Sequence, residues 1–210
     1  MGLLRRGVVV LVVLLVVLLP ARAQETNAVT LLPDTQHLTG FTMYLQELNR
    51  CSAAALAIHL SYFRDYFPDD YWVMKRRLNP SFEDVSVRIE EMVEVAQEYG
   101  LNGIVRRGGT LELLKQLVAG GFPVLIENAI YEGNDAFRDW MSHNRVVTGF
   151  DDNTGEIFFW DPSLGNGPDD LGIRLPYDQL DERWRPFNRN YLVIYRPQDE
   201  ERLKTILGPQ

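Results

Sequence analysis

Apolar residues follow three different patterns along the chain. Near the N-terminus, an unbroken apolar run over residues 8–19 follows Arg5 and Arg6 and ends at Pro20 and Ala21-Arg22-Ala23. From 52 to 63, apolar and small residues occupy nearly every side of a helical projection, which predicts a buried helix with Cys51 at its N-terminus. A second helix is predicted over 70–78. A third starts at Val85, with Ile89, Met92, Val93 and Ala96 on one face and Gly100 as its stop. Beyond Gly100 the period changes. Ile104-Val105-Arg106 and Pro123-Val124-Leu125-Ile126 read as short strands, separated by a Leu-rich helix that Thr110 caps and Gly120-Gly121 ends. Residues 145–150 and 156–160 read as two strands of a hairpin turning at Asp151-Asp152-Asn153-Thr154-Gly155, and 191–195 as a later strand. Helices first and an antiparallel sheet second is an α+β arrangement in one domain, with a helix packed against the sheet. Residues 24–40, polar with Pro33, Thr39 and Gly40, predict an extended lead-in, and 198–210 a C-terminal tail.

The first pattern reads as a secretory signal peptide over 1–23. Its apolar run of 12 residues is shorter than the roughly 18 that span a bilayer, and cleavage is expected after Ala23. Removing it takes away three arginines and no acid, lowering the net charge from −8 to −11 over the remaining 187 residues. An acidic chain disfavours nucleic acid as a partner, and the expected product is secreted or periplasmic, with no membrane attachment after cleavage. A single cysteine excludes an intramolecular disulfide and a Cys-rich zinc site, and neither metal nor cofactor is expected.

That cysteine carries the chemistry of interest. A helix N-terminus favours thiolate through its free N–H groups, although buried unreactive cysteines are also common. Of the three histidines, His59 lies eight residues along the same helix, about 12 Å from Cys51 at 1.5 Å per residue, and His37 falls in the lead-in. His143 remains, at the start of the first hairpin strand. With a five-residue turn, Phe150 pairs with Glu156 and Arg145 with Asp161, so His143, Arg145 and Asp161 share one face. A four-residue turn shifts the register and moves Asp161 to the other face, where it is an ordinary Asp-Pro turn residue. Gln46, five residues before Cys51, is either an oxyanion donor beside the Cys51 N–H or an exposed loop residue.

Together, the stretch from Gln46 through Glu47-Leu48-Asn49-Arg50 to Cys51-Ser52-Ala53-Ala54, the strand His143-Asn144-Arg145-Val146-Val147-Thr148-Gly149-Phe150-Asp151, and Asp161-Pro162 resemble the peptidase C39-like family. These are papain-fold relatives of bacteriocin-processing cysteine peptidases. The resemblance covers about 41–195 and implies a domain over 41–197 with the papain-like fold, N-terminal helices packed on an antiparallel sheet. It also implies Cys51 as nucleophile, His143 as general base and then acid, Asp161 as its orienting partner and Gln46 in the oxyanion hole. Where the family carries Gly-Pro after the nucleophile, this chain has Ser52-Ala53. Ser52 and Trp140, three residues before His143, are expected as substrate contacts.

The expected function is therefore a secreted cysteine peptidase or amide hydrolase acting on a peptide or protein. Two alternatives stand beside it: a non-catalytic papain-fold module that binds peptide or cell-wall material, and an acyl transferase using the same acyl-enzyme chemistry. Asp169-Asp170 and Asp151-Asp152 read as solvated loop carboxylates.

Overall fold

The computed structural model describes residues 31–68, 70–81, 87–132 and 139–208; of Tyr131, Glu132, Asp139 and Trp140 it describes the backbone alone. The expected signal peptide over 1–23 lies outside these residues. Helix α1 (Cys51–Ser61) is buried from Ser52 onward, and its alanines at 53, 54, 55 and 57 let neighbours approach on every side. Helix α2 (Tyr71–Leu78) is capped by Asp70, whose carboxylate accepts from Trp72 and Val73 N–H, and α3 is Ile89–Glu98. Thr110 caps α4 (Leu111–Ala119) as expected, accepting from the Leu113 N–H.

The strands are β1 (Thr35–His37), β2 (Asn102–Arg106), β3 (Val124–Glu132), β4 (Asp139–Asp151), β5 (Glu156–Trp160), β6 (Ile173–Pro176) and β7 (Tyr191–Tyr195). They form one antiparallel sheet in the order β2-β7-β3-β4-β5-β6, with β1 on the end of β4. Helices cover both of its faces, which goes beyond the single helical layer expected. Leu125, Val146, Trp160, Leu192 and Ile194 pack with α1, α2 and α3. Val124, Ile126, Val147, Phe159 and Val193 pack with α4, α5 (Tyr177–Trp184) and α6 (Glu200–Leu207). The continuous apolar runs at 124–126 and 191–195 have this cause, since strands buried on both faces do not alternate. Residues read as a C-terminal tail form α6, with Leu203 fully buried. The polar lead-in supplies β1, where His37 packs edge-on against the Phe158 ring.

The hairpin register corrects the sequence reading in two places that cancel. The turn has four residues, so that Asp151 faces Glu156 and Phe150 faces Ile157 rather than Glu156. A bulge then inserts Thr148 between Val147, opposite Phe159, and Gly149, opposite Phe158. Val147 and Phe150 both belong to the core under α4 and α5, yet they are three positions apart, an odd spacing that a regular strand sends to opposite faces. The extra residue reconciles them, and continuing the ladder by one sets Arg145 against Asp161.

Gly149 is where β1 docks. A Cβ there meets the Gln36 carbonyl oxygen at 2.9 Å and runs into the His37 ring. Gly149→Ala is expected to lift β1 from β4, lowering unfolding free energy by roughly 1–3 kcal/mol. The readout is faster amide exchange at Leu38, whose N–H donates to Thr148 O at 2.7 Å.

Candidate active site

Asn49 adopts a left-handed backbone (φ 58°), a conformation that Asn tolerates better than most residues, and it turns the chain immediately before α1. Among the described residues no side chain caps this helix, and its first turn holds no acid. The thiol at its first position therefore sits at the positive end of an uncapped helix.

His143 lies within β4 rather than at its start, paired with Asn128 of β3, and is 2% exposed. Its Nε2 is 2.9 Å from Asp161 Oδ1, which leaves Nδ1 as the nitrogen available to Cys51. Asp161 is completely buried, and the same Oδ1 accepts from the N–H groups of Ser163 (2.7 Å) and Leu164 (3.1 Å). The Asp-Pro turn and the histidine contact are thus one construction. On the other side, Arg145 Nε lies 2.5 Å from Oδ2 in a buried ion pair, and the guanidinium sits over the Phe159 ring at 5.6 Å.

The titration behaviour follows from these contacts. Burial works against the Asp161 carboxylate, but His143, the Arg145 charge and the Ser163 N–H outweigh it and hold its pKa at about 2. Burial also works against a charged His143, and its contacts to Asp161 and Cys51 reverse that, leaving the imidazole pKa raised. For Cys51, burial pushes the thiol up, while hydrogen bonding and charge from His143, together with the Asn144 backbone and side chain, bring it below its ordinary value. The shifts are in opposite directions, as expected for a thiolate and an imidazolium that stabilise one another.

Gln46 lines the same cleft of about 580 Å³ as Cys51 and His143. Its backbone N–H donates to Pro162 O at 2.8 Å, tying its loop to the Asp161 turn, and its side-chain Oε1 finds no hydrogen-bond partner among the described residues. Ser52 corrects an expectation. It is 8% exposed, and its hydroxyl accepts from Asn144 Nδ2 at 3.0 Å, so it tethers α1 to β4 instead of facing substrate. The backbone of Trp140 pairs with Tyr131, and its side chain lies outside the described residues. His59 is wholly buried, which pushes its pKa down to about 3, and it stays neutral away from the site.

Three further residues complete the arrangement. Arg145 had a legible signal, a cation two positions from His143 and therefore on its face. Asn144, whose Nδ2 also lies 3.9 Å from Cys51 Sγ, had none, because its partners are more than ninety positions away. Arg183 enters the cleft wall from α5, a short helix with only Leu180 and Trp184 buried and so with little apolar periodicity to mark it.

The geometry has counterparts of the same fold. A crystal structure of a C39-like protein from Bacillus anthracis matches with a TM-score of 0.58 at 16% identity, covering 77% of this chain and 98% of that one. Xylellain, a cysteine protease from Xylella fastidiosa, matches at 0.59 and 14% identity, covering 79% and 87%. A double glycine motif protease from an AMS/PCAT transporter, solved with its leader peptide, matches at 0.53 and 19% identity, covering 77% and 98%. No curated protein matches the chain. The mixed helix and antiparallel-sheet fold is thus that of the C39-like and papain-like cysteine peptidases, and the family model for the Peptidase_C39 like family matches residues 27–191, so the chain belongs to that family.

Proposed function

We propose that this protein is a cysteine peptidase or closely related amide hydrolase, exported by its first 23 residues, with Cys51, His143, Asp161 and Gln46 as its working groups. The observation that carries the reading is the division of labour on His143: Nε2 is committed to a buried carboxylate, and Nδ1 is left for the one thiol in the chain. The Cys51 thiolate attacks the substrate carbonyl carbon, forming a C–S bond and placing the carbonyl electron pair on oxygen. The Cys51 N–H and the Gln46 side-chain amide stabilise that oxyanion. Collapse expels the amine, which takes the proton from His143. The acyl-enzyme then reacts with water that His143 deprotonates, and the thiolate leaves. Cleavage of a peptide bond fits a leader-peptide complex solved for a protein of the same fold.

The test is the rate of Cys51 alkylation by iodoacetamide against pH, in the wild type and in His143→Ala. The wild type is expected to titrate well below the ordinary thiol value of about 8.5, with the midpoint rising by a unit or more in the variant. A wild-type midpoint near 8.5 that the substitution leaves in place would overturn the reading.

A further inference from the structure

We infer that Arg183 recognises a carboxylate on the substrate, making the cleft selective for acidic peptides; this rests on the peptidase reading and adds the class of substrate. The chain as a whole is acidic, at −8, yet among the described residues no carboxylate lines the cleft that holds Cys51. Its cations are not equivalent. Arg145 is 4% exposed and committed to Asp161, and an imidazolium at His143 is balanced by the Cys51 thiolate. Arg183 is left over. It is half-buried, makes no ion pair among the described residues, and donates to the neutral Gln179 Oε1 at 3.4 Å.

The backbone that carries it is fixed. The next residue, Trp184, is 1% exposed, and its indole N–H donates to Asn190 O at 2.7 Å, tying the last turn of α5 to the residue before β7. A guanidinium carried on a packed helix turn, in a cleft whose lining holds no carboxylate among the described residues, offers a planar pair of donors to an incoming carboxylate. Asp or Glu side chains and a free peptide C-terminus all present that chemistry.

Fluorescence anisotropy with the full-length Cys51→Ala protein separates these sources. The probes are equimolar octapeptide pools: Glu at one fixed position with an amidated end, Gln there with an amidated end, and Gln there with a free carboxylate end. Binding of a carboxylate-bearing pool is expected to exceed that of the neutral amidated pool by about tenfold. The ratio should shrink in about 0.5 M salt, collapse towards one in Arg183→Gln, and fall below one in Arg183→Glu. Preference for the Glu pool assigns a side-chain carboxylate, and preference for the free end assigns the chain terminus. Equal binding of all pools, or a preference that survives Arg183→Gln, overturns the inference. Pools that Arg183 holds but wild-type protein leaves uncut overturn the peptidase reading alone. Cleavage by the wild type without acid preference overturns this inference alone.

Discussion

Asp161→Asn is expected to lower kcat/KM on a cleavable peptide by roughly 10²–10⁴-fold, the scale on which losing a triad carboxylate acts. The amide is nearly isosteric but cannot serve both sides of the carboxylate it replaces. With its oxygen towards His143 and the Ser163 and Leu164 N–H groups, its NH₂ faces the Arg145 guanidinium, donor against donor; turned around, it confronts three N–H groups instead. His143 thus loses the anion that raises its pKa, and Cys51 loses the imidazolium that lowers its own. The Cys51 alkylation midpoint should rise together with the fall in turnover. Stability provides a second signature. Asp161 has a pKa of about 2 in the fold against 3.8 ordinarily, so its ionised form favours folding. That contribution is complete above the ordinary value and disappears as pH falls through about 2, amounting to about 2 kcal/mol. Denaturation at pH 7 and near pH 2 should therefore show the wild-type advantage over Asp161→Asn narrowing at the lower pH. A variant that kept turnover within a few-fold would remove Asp161 from the mechanism.

The register that brings Asp161 to His143 shows what could be read in advance. Strand boundaries at 156–160 and 191–195 were legible because apolar runs bounded by turn residues mark them. The turn length was not, because Asp151 serves equally well as the last strand residue or the first turn residue. The bulge was hidden for a different reason: recognising it requires knowing that Val147 and Phe150 enter the same core, a fact of the second helical layer. That layer was itself obscured, since half of α5 is charged and it fastens to the fold through Leu180 and Trp184.

The same distinction holds within the site. Cys51 and His143 stand out by local signals, a helix start and a short list of histidines, and Gln46 by its place ahead of Cys51; the structure puts all three on one cleft. The Ser52–Asn144 tether had no such signal. Ser52 stands where the family has a glycine, and sequence alone suggests that the hydroxyl faces substrate. Packing against β4 turns it inward, so the cleft wall beside Cys51 comes from Gln46 and the loop before α1.

Arg145→Leu is expected to cost about 3–5 kcal/mol of unfolding free energy, the scale on which removing one member of a buried ion pair acts. What it removes is both the counter-charge to Asp161 and the packing over Phe159. The Arg145→Leu/Asp161→Asn double variant decides between them. If the pair matters as a pair, the double variant is more stable than the sum of the two single losses by 1 kcal/mol or more, because the Asn amide no longer faces a guanidinium and no unpaired carboxylate remains. Strict additivity would mean that Arg145 contributes packing alone. Activity should separate the same roles differently. In Arg145→Leu, Oδ1 still holds His143, so turnover near neutrality survives in part. The carboxylate, however, loses the charge that keeps its pKa low, and the acid limb of the kcat/KM profile should move to higher pH. Arg145→Lys, which restores a cation without the planar guanidinium, should return the acid limb towards its wild-type position while recovering less of the stability. Arg145 then acts as a positioning residue that keeps a completely buried aspartate ionised beside the imidazole, and through the imidazole it helps keep Cys51 ionised.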